Sequence, residues 1–151
     1  MESSNSLSPK KKVMPANIII RGRIPSKKNA HFAKYVKGKI CVFPNTKYQQ
    51  WENDQIKRLM ADKIRPLKLD KPLKVVYKFR FPDSRKTDLS NKLESINDLL
   101  VRYGLFVDDN HEILACIEAT SMGIDKENPR CEIELIGFSP VLFGQPALLL
   151  C

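Results

Sequence analysis

The chain has 151 residues, 42% hydrophobic and 28% charged, with a net charge of +9 at pH 7. That length and apolar content suit one ordinary folded domain and exclude a fibrous or wholly disordered chain. No apolar run approaches the roughly 18–20 residues that a bilayer span needs, and the Ser- and Lys-rich start lacks the apolar stretch of a secretory signal, so a soluble cytoplasmic protein without membrane contact is expected.

Met1 to Pro15, with Lys10-Lys11-Lys12, reads as a flexible basic arm with almost nothing to bury. Asn17 to Arg23 alternates and is rich in isoleucine, the pattern of a first strand. A polar, basic loop follows over Ile24 to Asn29. Lys39 to Phe43 reads as a second short strand, the return arm of a hairpin. From Thr46 the spacing turns helical through Tyr48, Trp51, Ile56 and Leu59, with Asn45 or Thr46 as cap and Pro66 beyond the end. Both Tyr48 and Trp51 are expected in packing rather than in base stacking.

In Pro72 to Phe81 the residues Leu73, Val75, Tyr77 and Phe79 alternate with Lys74, Val76, Lys78 and Arg80, which predicts a strand with one apolar and one mostly basic face. After the charged loop Asp83 to Thr87 comes the strongest helix signal, Leu89 to Tyr103. Its stripe is Leu93, Ile96, Leu100 and Tyr103, and Gly104 stands where a helix stop belongs. Leu105 to Val107 is a short extended segment leading into the polar group Asp108-Asp109-Asn110-His111. Glu112 to Ala119 and Arg130 to Phe138 are two more strands around an irregular connection. The order ββαβαββ predicts an α+β fold, one small mixed sheet with two main helices packed against it. The folded domain is expected over residues 16–138. Residues 139–151 form an apolar tail, too short to cross a bilayer, whose role the sequence does not show.

Four cysteines, Cys41, Cys116, Cys131 and Cys151, form no CxxC pair, and His31 and His111 complete no zinc pattern; Cys116 and Cys131 are expected in the core. Charge is unevenly placed. Residues 1–87 carry 22 Lys/Arg against 6 Asp/Glu, and residues 88–151 carry 4 against 11. A basic half draws phosphate backbones, and a carboxylate cluster tolerates them only with cations between. An enzyme acting on nucleic acid with a metal needs both; a lysine-rich solubilising surface is the plainer reading.

The carboxylates that bear on chemistry are Asp88, just before the second helix, and Asp109, after the segment that follows it. If the chain returns antiparallel after Gly104, the two converge, and carboxylates around one point bind a hard cation such as Mg²⁺. Alternatively Asp88 complements the helix dipole and Asp108-Asp109 form a turn.

At this point the sequence resembles the RusA-type Holliday junction resolvases of bacteria and their phages. The resemblance runs from Gly22 to about Ile113 and rests on Gly22-x-x-Pro25-Ser26-x-Lys28-Asn29, Tyr48-x-x-Trp51, Asp88-x-x-Asn91 with Asp98, and Gly104 followed by Asp108-Asp109. It implies a homodimeric endonuclease of DNA recombination and repair that binds four-way junctions and cuts them with Mg²⁺, for which Mn²⁺ substitutes. In such enzymes metal-binding aspartates sit at the positions of Asp88, Ser90 and Asp109, and a functional lysine at that of Glu94. Ser90 and Glu94 are thus departures from the pattern.

Together the departures read as a swap. Positions 90 and 94 are one helical turn apart, and a glutamate leaning toward the N-terminus reaches the place that a carboxylate at 90 would fill. The rival explanation is a capping box, with Asn91 as cap and Glu94 returning a bond to its N–H. Expected catalytic and metal-binding residues are therefore Asp88, Asp109 and Glu94, supported by Ser90, Asp98 and Asp108. Expected DNA contacts are Lys27, Lys28, Asn29, Arg85, Lys86 and Asn91. His111 is expected as an exposed turn residue. The alternative function is a resolvase-like module that binds branched DNA and has lost cleavage.

Overall fold

The computed structural model describes residues 14, 15 and 17–137. Its elements are β1 (Ile18–Arg21), β2 (His31–Val36), β3 (Lys39–Pro44), α1 (Thr46–Ala61), β4 (Leu73–Phe81), α2 (Leu89–Tyr103), β5 (Leu114–Ile124) and β6 (Arg130–Gly137). One 3-10 turn, Lys27–Asn29, lies between β1 and β2. The basic arm expected over residues 1–15, Met14 and Pro15 excepted, and the apolar tail 139–151 lie outside the described residues.

β4 takes the middle of the sheet because its alternation has a face to bury. Leu73, Val75, Tyr77 and Phe79 pack with Ile18 and Ile20 of β1, Ile133 and Leu135 of β6, and Ile96, Leu99 and Leu100 of α2. Each such side chain contributes about 1.5–3 kcal/mol on burial. Strand order is β1-β6-β4-β5, antiparallel except for the parallel pair β4/β5. A parallel pair requires a crossover, and α2 supplies it, so the fold is α+β with a mixed sheet. On the opposite face Lys74 pairs with Glu118 at 3.2 Å.

Local capping sets the helix ends. Asn45 accepts a bond from the Lys47 N–H at 3.0 Å and opens α1. Asp88 opens α2, and Gly104, at φ +89°, closes it with its N–H on the Leu100 and Val101 carbonyls. A side chain at 104 would strain the left-handed backbone and stand 3.3 Å from the Pro66 Cβ.

Three features differ from the expected order. His31–Val36 is a strand, and it pairs with β3 in a ribbon of its own; β1 pairs with β6 instead. The ribbon turns through Lys37 and Gly38, both at positive φ (48° and 78°), the backbone of a tight I′ hairpin. Leu105 to Val107 is drawn across to Leu69, with the Leu69 N–H on the Leu105 carbonyl and the Val107 N–H on the Leu69 carbonyl, and so does not run back along α2 as a strand. Finally, β5 continues to Ile124 and takes up half of the expected irregular connection. Cys116 and Cys131 are buried, as expected.

Candidate nucleic-acid and metal site

Where β4 ends and α2 begins, a cavity of about 160 Å³ opens at the surface. Five cationic residues line it (Arg23, Arg80, Arg85, Lys86 and Lys92) against one acidic residue, Asp83. Asp83 is already engaged: Arg23 donates to it, and so does the Arg85 N–H at 3.1 Å. Those bonds, Arg23 first, hold its carboxyl below the ordinary range. Burial, with Arg23 nearby, pulls Lys92 below its ordinary value. Arg80 Nε is buried and has no hydrogen-bond partner among the described residues. A pocket so biased in sign takes an anion.

Beside this pocket stands Asp88, exposed at the N-cap of α2. One of its oxygens accepts from the Ser90 N–H (3.0 Å) and the Ser90 hydroxyl (2.7 Å), the other from the Asn91 amide (3.1 Å). The Ser90 hydroxyl and N–H, and then the charge of Lys28, lower its pKa. The cap is therefore Asp88 and not Asn91, because the helix starts at Leu89 and Asn91 already lies in its first turn. That removes the capping box proposed for Glu94. Glu94 is exposed, with no hydrogen bond or ion pair among the described residues.

Further along α2, three side chains fasten the loop that follows β1. Lys92 donates to the Ile24 carbonyl, Ser95 to the Pro25 carbonyl at 2.7 Å, and Asp98 pairs with Lys27. Burial lowers the Lys27 pKa, but the hydrogen bond and charge of Asp98 outweigh it and leave it raised. Its ammonium also lies 5.8 Å from the Tyr48 ring centre, and Tyr48 and Trp51 pack against each other. Lys27 is thus spent within the fold, whereas Lys28 and Asn29 are exposed.

Asp109 sits with Asp98 and Asp108. Burial first, then the charges of Asp98 and Asp108, push its pKa up. Asp108 is held by the Asp109 N–H at 2.8 Å and the Asn110 amide at 2.9 Å. The phenol of Tyr77, at the centre of β4, donates to Asn97 next to Asp98. Among the described residues no three His, Cys, Asp or Glu side chains are gathered to hold a metal ion, so Asp88, Glu94 and Asp109 do not form such a group within one chain. His111 is exposed, as expected.

The family model described as Endodeoxyribonuclease RusA matches residues 22–136. The chain belongs to the RusA family. No curated protein matches it. RusA proteins are endodeoxyribonucleases, Holliday junction resolvases, so this chain is a nuclease of that type acting on branched DNA. The RusA match takes in the basic pocket, all of α2, Asp109 and the β2–β3 ribbon. No helix among the described residues is long and apolar enough to cross a membrane.

Sequence reading found Arg85 and Lys86 because they adjoin Asp88. It missed Arg23, Arg80 and Lys92, which three separate elements bring together.

Proposed function

We propose that the chain resolves four-way DNA junctions as a Mg²⁺-dependent homodimer that makes paired cuts. The observation that carries this reading is the pocket lined by five cationic residues, set against the start of α2 where Asp88 stands. Exposed Arg85 and Lys86 draw a backbone phosphate toward it and donate to its oxygens as charge-assisted bonds. Lys28 and Asn29 extend the track along the strand, while Lys27 positions that track through Asp98.

The carboxylates Asp88, Glu94 and Asp109 are hard oxygen donors of the kind Mg²⁺ or Mn²⁺ takes. The like charges crowding Asp109 are a repulsion that a cation relieves. Bound there, the metal would activate water and neutralise charge on the phosphate. Ser90 is engaged by Asp88, and Glu94 is the carboxylate free of bonds on the same helix; the three are not gathered within one chain, so a metal held by them would have to draw them together. Two subunits about a twofold axis match the near-twofold symmetry of a junction, which is why the cuts come in pairs.

Nicking of a synthetic four-way junction, followed with and without Mg²⁺, tests the proposal. Cleavage that requires the metal, with binding that survives EDTA, is the expected result. Binding without any cleavage in Mg²⁺ or Mn²⁺ would make the chain a junction-binding module.

A further inference from the structure

Among the described residues the β2–β3 ribbon pairs with no strand of the main sheet. Every residue of β2 is exposed, as is every residue of β3 except the half-buried Cys41. Isolated two-stranded ribbons are marginal in water, and this one leaves its large side chains uncovered. On one face Ala33 lies opposite Val42 and Tyr35 opposite Ile40, without a charge among them. Tyr35 is 71% exposed and Ile40 72%. The other face carries Phe32 stacked on Phe43, 5.7 Å between ring centres, with Lys34 and Lys39 beyond them toward the tip. Such a surface is built to be covered.

Charge decides by what. Residues 21–51 contain eight Lys/Arg and no Asp/Glu, and three of those lysines, Lys34, Lys37 and Lys39, are on the ribbon or at its turn. A second ribbon of the same kind would bring like charge against like charge, which disfavours self-pairing. Polyanionic DNA supplies the opposite sign. The ribbon holds no Arg, Asn, Gln, Ser or Thr, so lysine alone remains of the main groups that read base edges in a groove. What it offers is lysine at the rim and aromatic and aliphatic surface at the centre, the combination that takes base faces rather than base edges. Within a duplex those faces are already stacked on both sides. At a branch point the stack is interrupted, and base faces are there to be covered.

We infer that the β2–β3 ribbon is a wedge that enters the branch point of the DNA junction, covering unstacked bases with Tyr35 and Ile40 while Lys34, Lys37 and Lys39 hold the flanking phosphates. This rests on the junction-resolving reading above and adds to it the element that distinguishes a branched substrate from plain duplex. Inserted apolar side chains of this sort unstack base steps and open the DNA.

The test uses the full chain in EDTA with a four-way junction carrying 2-aminopurine beside the branch point, and a linear duplex of the same sequence. Wild type should raise the 2-aminopurine fluorescence severalfold on the junction. The double variant Tyr35→Ser with Ile40→Ser should abolish that rise and weaken junction binding about tenfold or more, while duplex affinity changes less than twofold. Its unfolding temperature should be unchanged, since neither side chain reaches the core. A variant that keeps both the fluorescence rise and the junction preference overturns the wedge. So does a variant whose dimer dissociates in sedimentation with junction and duplex binding reduced alike, which would assign the ribbon to a second copy. A drop of several degrees in unfolding temperature with junction binding intact would assign it to the chain's own apolar tail. Failure of the wild type to prefer junction over duplex is a separate result and would fall on the proposed function itself.

Discussion

Replacing Lys86 by Met tests the basic pocket directly, because methionine keeps much of the apolar stem and removes the charge. Lys86 is exposed and makes no hydrogen bond or ion pair among the described residues, so the substitution breaks no internal bond. The unfolding temperature should therefore hold. DNA affinity should fall. A hydrogen bond to a charged group contributes about 1.5–3 kcal/mol, which corresponds to roughly a 10- to 150-fold loss of binding. Loss of one phosphate contact should also flatten the dependence of log K on log salt by about 0.9. Fluorescence anisotropy with a labelled junction between 50 and 200 mM salt, on the order of the range over which such slopes are read, gives both numbers. Lys57→Met, which alters an exposed cation of α1 outside the pocket, serves as the control and should change neither appreciably. A Lys86→Met protein with wild-type affinity and an unaltered salt slope would refute the pocket as a phosphate site.

Asp88→Asn retains an oxygen that can accept the Ser90 N–H and removes the anion, so junction cleavage should fall by orders of magnitude while circular dichroism and junction binding persist; Asp109→Asn should behave alike, and near wild-type cutting by both would misplace the metal. Glu94→Gln breaks no bond in the fold, so its unfolding temperature should match wild type and any loss of Mg²⁺-dependent cleavage reports on chemistry alone; the double change Ser90→Asp with Glu94→Lys should restore cutting if the swap is right. Gly104→Ala forces a side chain into a backbone at φ +89° and should destabilise by about 1–2 kcal/mol, read as a several-degree drop in thermal unfolding.

What could be read from the sequence follows from how local the physics is. Asn45 and Gly104 declare the helix ends because a cap is decided within a few residues. β4 was legible since one buried face imposes strict alternation, whereas β2 was not, because a ribbon exposed on both sides imposes none. Its turn was hidden as well: Lys37 at positive φ is not the Asn or Asp that marks such a hairpin. At the candidate site, Asp88 was read from its place before a helix, and the structure adds that it is the cap. The pairing of Lys27 with Asp98, and of Lys27 with Tyr48, joins residues far apart in sequence, and no periodicity could announce it. Arg23, Arg80 and Lys92 were missed for the same reason.

The three ties from α2 to the preceding loop fall at positions 92, 95 and 98, on successive turns of one helix. They clamp residues 24–27 along a stiff rod whose first turn begins at Asp88. The same loop leads through Ala30 into the hairpin, whose base is closed by the Asn45 N–H on the Ala30 carbonyl at 2.8 Å. The helix therefore works as a ruler: whatever the hairpin grips is held at a set offset from whatever meets the first turn, and shifting the clamp by one turn would move that offset by about 5.4 Å.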